Sequence, residues 1–148
     1  MNTQPNTNEF NIDELMRELH QYIEKELQTN GKENIEVAPY HYSETETCSI
    51  QADRELLRQI FVILLDNAVR YIERGFIAFG YHVLDTNIVD FFVDDTRADY
   101  YNEDVSIVRG LVEQMGSELK IMPDKKQRSS FRFTVKGMTK LVAMQASS

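Results

Sequence analysis

The sequence predicts an α+β domain, a two-layer sandwich in which about three helices cover one face of a mixed sheet. Three observations predict it. Three segments carry apolar residues at helical spacing. Between them lie short runs rich in β-branched and aromatic residues, two at a time. Runs of strands separated by single helices place the helices together on one face of the sheet. The length, 148 residues, suits one domain and allows roughly two-thirds of the unfolded chain's surface to be buried.

The first helix starts at Asn11, with Glu14 three residues on as in a capping box. Ile12, Leu15, Met16, Leu19, Ile23 and Leu27 follow at helical spacing, and Asn30-Gly31 ends it. Ile35 and Val37 alternate with polar residues as a short strand, and Ser49 to Gln51 read as another. Asp53 caps a second helix carrying Leu56, Leu57, Ile60, Phe61, Leu64, Leu65, Ala68 and Tyr71; Val62, Ile63 and Val69 are apolar too. Such a helix must be covered on most sides. Gly75 is its expected stop. Phe76 to Leu84 and Ile88 to Val93 form a hairpin about Asp85-Thr86-Asn87. A third helix runs from about Asn102 or Glu103 to Met115, stopped by Gly116. Leu119 to Met122 and Phe131 to Val135 are two further strands joined by a loop from Asp124 to Ser129. Residues 1–8 read as a disordered lead-in, 9–136 as the domain and 137–148 as a C-terminal tail whose Met138, Leu141, Val142 and Met144 could dock on the domain or on a partner.

Charge and composition exclude several classes. The net charge of -8 disfavours nucleic acid, which needs a basic face, and anionic membranes. With 42% hydrophobic and 27% charged residues the chain has the balance of an ordinary globule. Cys48 is the single cysteine, so neither an internal disulfide nor a cysteine-rich metal site is expected. Met1 to Asn8 lacks the basic and apolar runs of a signal peptide, and no segment reaches the ~20 apolar residues of a membrane span. A cytoplasmic protein is expected.

From Glu9 to about Lys136 the chain resembles the ATP-binding domain of sensor histidine kinases, the Bergerat-type ATPase fold. FNIDELMRELHQYIEKEL resembles the family's opening helix, and QADRELLRQIFVILLDNAVRYIERGFIAFGY its N-box helix and following strand. VDFFVDDT resembles the strand leading into the first glycine box, SIVRGLVEQMGSELKI the helix and strand after the second, and RSSFRFTV the closing strand. The resemblance implies a nucleotide site. Asn67 matches the asparagine that helps hold magnesium, and Arg70 a basic position near the phosphates. Tyr71 falls where an aromatic lines the adenine pocket. Asp95 matches the aspartate that accepts a bond from the adenine amino group, and Thr134 a hydroxyl that supports it. An amide oxygen suits a hard cation that keeps its waters, and a buried carboxylate selects an amino-bearing base edge.

The departures from the family pattern decide the functional expectation. Arg97 and Asp99 stand at both glycine positions of the first box, where glycine would let backbone approach a ligand. The second box falls on Asn102-Glu103-Asp104-Val105, without the glycines that free helix N–H groups for phosphate. Asn102 would cap the helix itself, and the carboxylates would sit on its positive end. Asp94, Asp95, Asp99, Glu103 and Asp104 face the single base Arg97. Two like charges ~4 Å apart at a surface repel by very roughly 4 kcal/mol, against about 8 kcal/mol for a micromolar ligand. Only six residues separate Asp95 from Asn102, so the family's long lid is missing. Ile63 replaces the first polar residue of the N box.

The expectation is therefore a degenerate histidine-kinase-like ATPase domain in bacterial signalling. It has no catalytic residue of its own. Mg-ATP, the ligand implied by the resemblance, would bind weakly or not at all. The domain would serve as a regulatory module for a protein partner: a response regulator, a kinase or another signalling protein. The alternative is a residual ATP-binding kinase domain, of histidine-kinase or anti-sigma-factor type, acting on a separate partner. The family's phosphoacceptor hairpin is not among these residues, so phosphorylation in cis is not expected. His20, followed by Gln21-Tyr22, lacks the phosphoacceptor pattern, and His41 and His82 have no ligand-spaced partner. Asp94 with Asp95 could suggest a metal pair, against a solvated acidic loop. Met115, Phe131 and Phe133 are core candidates.

Overall fold

The computed structural model describes residues 7–38, 46–96, 104–124 and 128–143. The elements run β1 (Asn8–Asn11), α1 (Ile12–Thr29), β2 (Glu36–Val37), β3 (Glu46–Ala52), α2 (Arg54–Tyr71), β4 (Phe76–Asp85), β5 (Ile88–Asp95), α3 (Asp104–Gln114), β6 (Lys120–Asp124), β7 (Arg128–Lys136) and β8 (Thr139–Ala143). The expected α+β architecture with its three helices is present.

Local chemistry sets the helix ends. Asn11 Oδ1 accepts the Glu14 N–H at 3.1 Å, and Asp53 Oδ1 accepts the Leu56 N–H at 3.1 Å, each quenching a donor the helix leaves open. Past α1 the chain turns through Gly31 at φ 68°. Lys32 N–H bonds Leu27 O and Gly31 N–H bonds Gln28 O, the paired return bonds of a Schellman stop. α2 ends at Tyr71, short of Gly75, with Ile72 already extended at ψ 132° and fully buried. Burying Ile72 pulls the chain off the helix axis before glycine is needed.

The main sheet has the order β2-β4-β5-β7-β6, parallel between β2 and β4 and antiparallel elsewhere. Its inner face presents Ile77, Phe79, Val89, Phe91, Val93, Phe131, Phe133 and Val135, all buried. Phe61 of α2 seats on this face, with ring centroids 6.1 Å from Phe79, 5.8 Å from Phe91 and 6.0 Å from Phe133. Val108 and Val112 bring α3 into the same core. Fully burying each such side chain contributes about 1.5–3 kcal/mol.

A second, smaller sheet accompanies the expected mixed one. β3 leaves the mixed sheet and stands between β1 and β8 in a three-stranded antiparallel sheet. The tail residues Thr139–Ala143 are thus a strand of the domain, and the lead-in already pairs at Asn8. Residues 1–6 and 144–148 lie outside the described residues. Asp13, at the first turn of α1, ties the parts together. Its Oδ2 accepts the Cys48 N–H at 2.8 Å and its Oδ1 accepts the Tyr81 hydroxyl at 2.9 Å. Cys48 is buried; that burial first, then the Asp13 charge, pushes its thiol pKa up, as befits an unreactive thiol.

Candidate functional site

The candidate site lies where the last turns of α2 meet the end of β5. Asn67, Arg70 and Tyr71 stand at helix positions i, i+3 and i+4, so they share a face. Asn67 is 2% exposed, and among the described residues its Oδ1 has no hydrogen-bond partner. A buried orphan acceptor costs about 1–3 kcal/mol, and such groups call for a specific explanation. Tyr71 is 39% exposed, and the Arg70 guanidinium lies 6.0 Å from its ring centre.

Two clamps fix this end, and the sequence reading anticipated neither. Lys32 Nζ donates to Val69 O at 2.6 Å and to Arg70 O at 3.2 Å, placing a cation on the negative end of α2. Thr96 Oγ1 donates to Arg74 O at 2.8 Å and accepts the Phe76 N–H at 3.1 Å. Through Thr96 the loop leaving α2 is pinned to the end of β5. Gly75, at φ 109°, sits against it; a Cβ there would come within 2.0 Å of Thr96 Oγ1. That clash is why glycine stands at this position. Asp66, beside Asn67, accepts the Tyr22 hydroxyl at 2.6 Å. These partners are 20 to 44 residues apart, and no local pattern announces them. Only Gly75 before a strand was a hint.

Asp95 ends β5 on the inner face, fully buried, at the same end of the sheet as Asn67. Thr134 does not join it. β5 and β7 pair with Asp90 opposite Thr134 and Asp95 opposite Ser129. Thr134 is therefore five positions from Asp95, about 16 Å along the strand, and odd spacing turns it to the outer face. There it meets Ser117 Oγ, which accepts the Thr134 N–H at 3.2 Å. The expected support of Asp95 by Thr134 is corrected by this register; the position opposite Asp95 is Ser129.

Asp94 and Asp95 also part company. Asp94 faces outward, its Oδ2 3.8 Å from Arg132, which also bridges Asp90 at 3.4 Å and lies over the Phe92 ring. Neighbours on opposite faces of a strand cannot close on one ion, and no cluster of three or more acidic, histidine or cysteine ligands occurs among the described residues. His20 packs on Phe79 with its Nε2 3.1 Å from Ala38 O, a tether between α1 and the strand layer. Arg97, Asp99, Asn102 and Glu103, expected to close the phosphate end, lie outside the described residues. α3 begins at Asp104.

With this geometry in view, comparison with solved structures is decisive for the architecture. The Acinetobacter baumannii histidine kinase AdeS superposes with a TM-score of 0.72 at 16% identity, covering 89% of this chain and 68% of that one. The fold is that of histidine kinase catalytic domains. A catalytic domain of the histidine kinase ThkA in a nucleotide-free form matches with a TM-score of 0.71 at 20% identity, over 88% of this chain and 95% of that one. Full-length ShkA in complex with AMPPNP matches with a TM-score of 0.77 at 23% identity. The match spans 96% of this chain but 33% of ShkA, so the histidine-kinase fold here corresponds to about a third of that longer protein. The sequence itself matches no family model and no curated protein. Among the described residues, no helix of this histidine-kinase fold is long and apolar enough to cross a membrane.

Proposed function

We propose that this domain is a histidine-kinase-type ATPase fold that has lost its grip on triphosphate. In this reading it serves bacterial signal transduction as a regulatory, protein-binding module in the cytoplasm. The observation that carries it is the connection between β5 and α3. It spans residues 96–103, holds no glycine, and carries Asp99 and Glu103 between Asp95 and Asp104. A triphosphate would meet carboxylates where backbone N–H groups are needed. The adenine end supports a narrower retention. Asn67 Oδ1 is a buried acceptor suited to a cation's water shell, and Asp95 would receive the adenine amino group. When bound, magnesium would neutralise phosphate charge; Asn67 would orient its water, and Arg70 and Tyr71 would line the mouth. The partner class is a response regulator, a kinase or another signalling protein.

Calorimetric titration with adenosine, Mg-ADP and Mg-ATP tests the reading. The expected result is that added phosphates do not tighten binding. Saturable Mg-ATP binding with a Kd below about 100 µM, roughly 5.5 kcal/mol, sinks it.

The orphaned Asn67 Oδ1 favours a second reading, a residual ATP-binding kinase domain acting on a separate partner. That reading requires Mg-ATP to bind tightly and Asn67→Ala to abolish the binding.

A further inference from the structure

The two long helices end in different ways, and the difference singles out Lys32. An α-helix leaves its last C=O groups without partners of its own. α1 closes by backbone: past Thr29 the chain turns through Gly31 at φ 68°, and the Gly31 and Lys32 N–H groups return to Gln28 O and Leu27 O. α2 has no such stop. Ile72 is already extended at φ -79° and ψ 132°, and the backbone return there is the Ile72 N–H to Ala68 O at 3.0 Å. The next two carbonyls are those of Val69 and Arg70. Lys32 Nζ takes both, at 2.6 and 3.2 Å. A side chain 37 residues away in sequence does for α2 what backbone does for α1. Such bonds are charge-assisted, and the ammonium meets the negative end of the helix dipole.

Lys32 is itself anchored. Its N–H bonds Leu27 O at 2.7 Å and its O accepts the Ile35 N–H at 3.0 Å, and Leu27 and Ile35 are both buried. A lysine held at its backbone loses less freedom in reaching its acceptors. The turn it closes carries Arg70 and Tyr71, two of the candidate site residues. Helix ends fray when their last turn is left open. Asn67 stands one turn earlier, inside the bond from Ile72 to Ala68. Lys32 thus bears on the mouth of the site through main-chain atoms, and more on Arg70 and Tyr71 than on Asn67.

We propose that Lys32 is the positioning residue of this mouth: its ammonium holds the last turn of α2 closed and so sets where Arg70 and Tyr71 meet a ligand at the adenine end. The inference rests on the proposed retention of an adenine pocket and names the residue that controls its rim.

The test uses the full chain as wild type, Lys32→Met and Lys32→Arg, with adenosine as the probe. Methionine keeps an unbranched apolar stem and drops the donors; arginine restores them. Binding is followed by chemical shifts, amide hydrogen exchange is measured without ligand, and melting is recorded for each protein. Lys32→Met should weaken adenosine binding about 5-fold or more. It should speed exchange of the Tyr71 and Ile72 amides about 10-fold or more while leaving Leu57 and Ile60, earlier in α2, unchanged. Lys32→Arg should recover most of both effects. A lysine that only stabilised the fold would lower the melting temperature, speed exchange evenly along α2 and leave the affinity of the folded protein as it was; that result overturns the proposal. An arginine variant no better than the methionine one overturns it too. If wild type binds adenosine and Lys32→Met binds it within about 2-fold, the assignment of Lys32 falls alone. If wild type shows no saturable shifts up to about 10 mM adenosine, the retained adenine pocket falls and takes the assignment with it.

Discussion

Asp13 and Asn67 are both buried polar side chains on helices, and they meet opposite fates. Asp13 has both carboxylate oxygens engaged, by the Cys48 amide and the Tyr81 hydroxyl. Asn67 has a buried oxygen with no partner among the described residues. The satisfied group is a fold device that joins α1 to β3 and β4. The orphaned one is a cost the fold bears on the last turns of α2, at the candidate site. The difference marks Asp13 as a structural group, because a group kept for stability is satisfied within the protein.

The comparison can be broken by mutation. The largest effect is expected at Asp13. Asp13→Ala removes two hydrogen bonds to a charged acceptor and strands a buried N–H, so urea unfolding should show a loss of about 3 kcal/mol. A loss under about 1 kcal/mol would mean that Asp13 is not the tie between the two sheets. Thr96→Val keeps the shape but drops both bonds of the clamp on Arg74 and Phe76. It should cost about 1.5–2 kcal/mol, with Thr96→Ser recovering most of it.

Tyr22 gives a pH test of the network behind Asn67. Burial first, then the hydrogen bond and charge of Asp66, push its hydroxyl pKa above the ordinary tyrosine range. A raised pKa in the folded state means that the folded protein holds the proton more tightly. The stabilisation is therefore complete below the unfolded value of about 10 and is lost as pH rises through the higher folded value. Absorbance titration should show one tyrosine ionising late, and Tyr22→Phe should remove that late step. Asn67→Ala should have the smallest effect. With an orphan acceptor removed, stability should change by less than about 1 kcal/mol, while any Mg-nucleotide binding is lost. A loss of 2 kcal/mol or more would make Asn67 structural and collapse the contrast with Asp13.

Much of this contrast was not legible in the chain. The apolar periodicity located α1, α2 and α3, and β-branched and aromatic runs located β4, β5, β6 and β7. The caps at Asn11 and Asp53 were readable because a cap acts on a residue three positions away. Asn67, Arg70, Tyr71 and Asp95 were singled out through a family pattern; the first three lie on the last turns of α2 and Asp95 ends β5. Thr134 was misplaced because its motif match says nothing of strand register. The clamps by Lys32 and Thr96 went unseen because each joins backbone groups distant in sequence. β1 and β8 were missed because each is only a few residues long, a polar lead and a mildly apolar tail, and neither forms a stable strand except against β3.

By itself, then, the sequence determined the helices, the main strands, the apolar faces and the lack of glycine between β5 and α3. These follow from local periodicity, capping and side-chain volume, each settled within a few residues. Tertiary structure alone decided that β3 pairs outside the main sheet, that Asp95 lies opposite Ser129 instead of Thr134, and that Thr96 locks Gly75. Those depend on which strands pair and in which register, and that choice is made by long-range burial and hydrogen bonding that no short stretch of sequence contains.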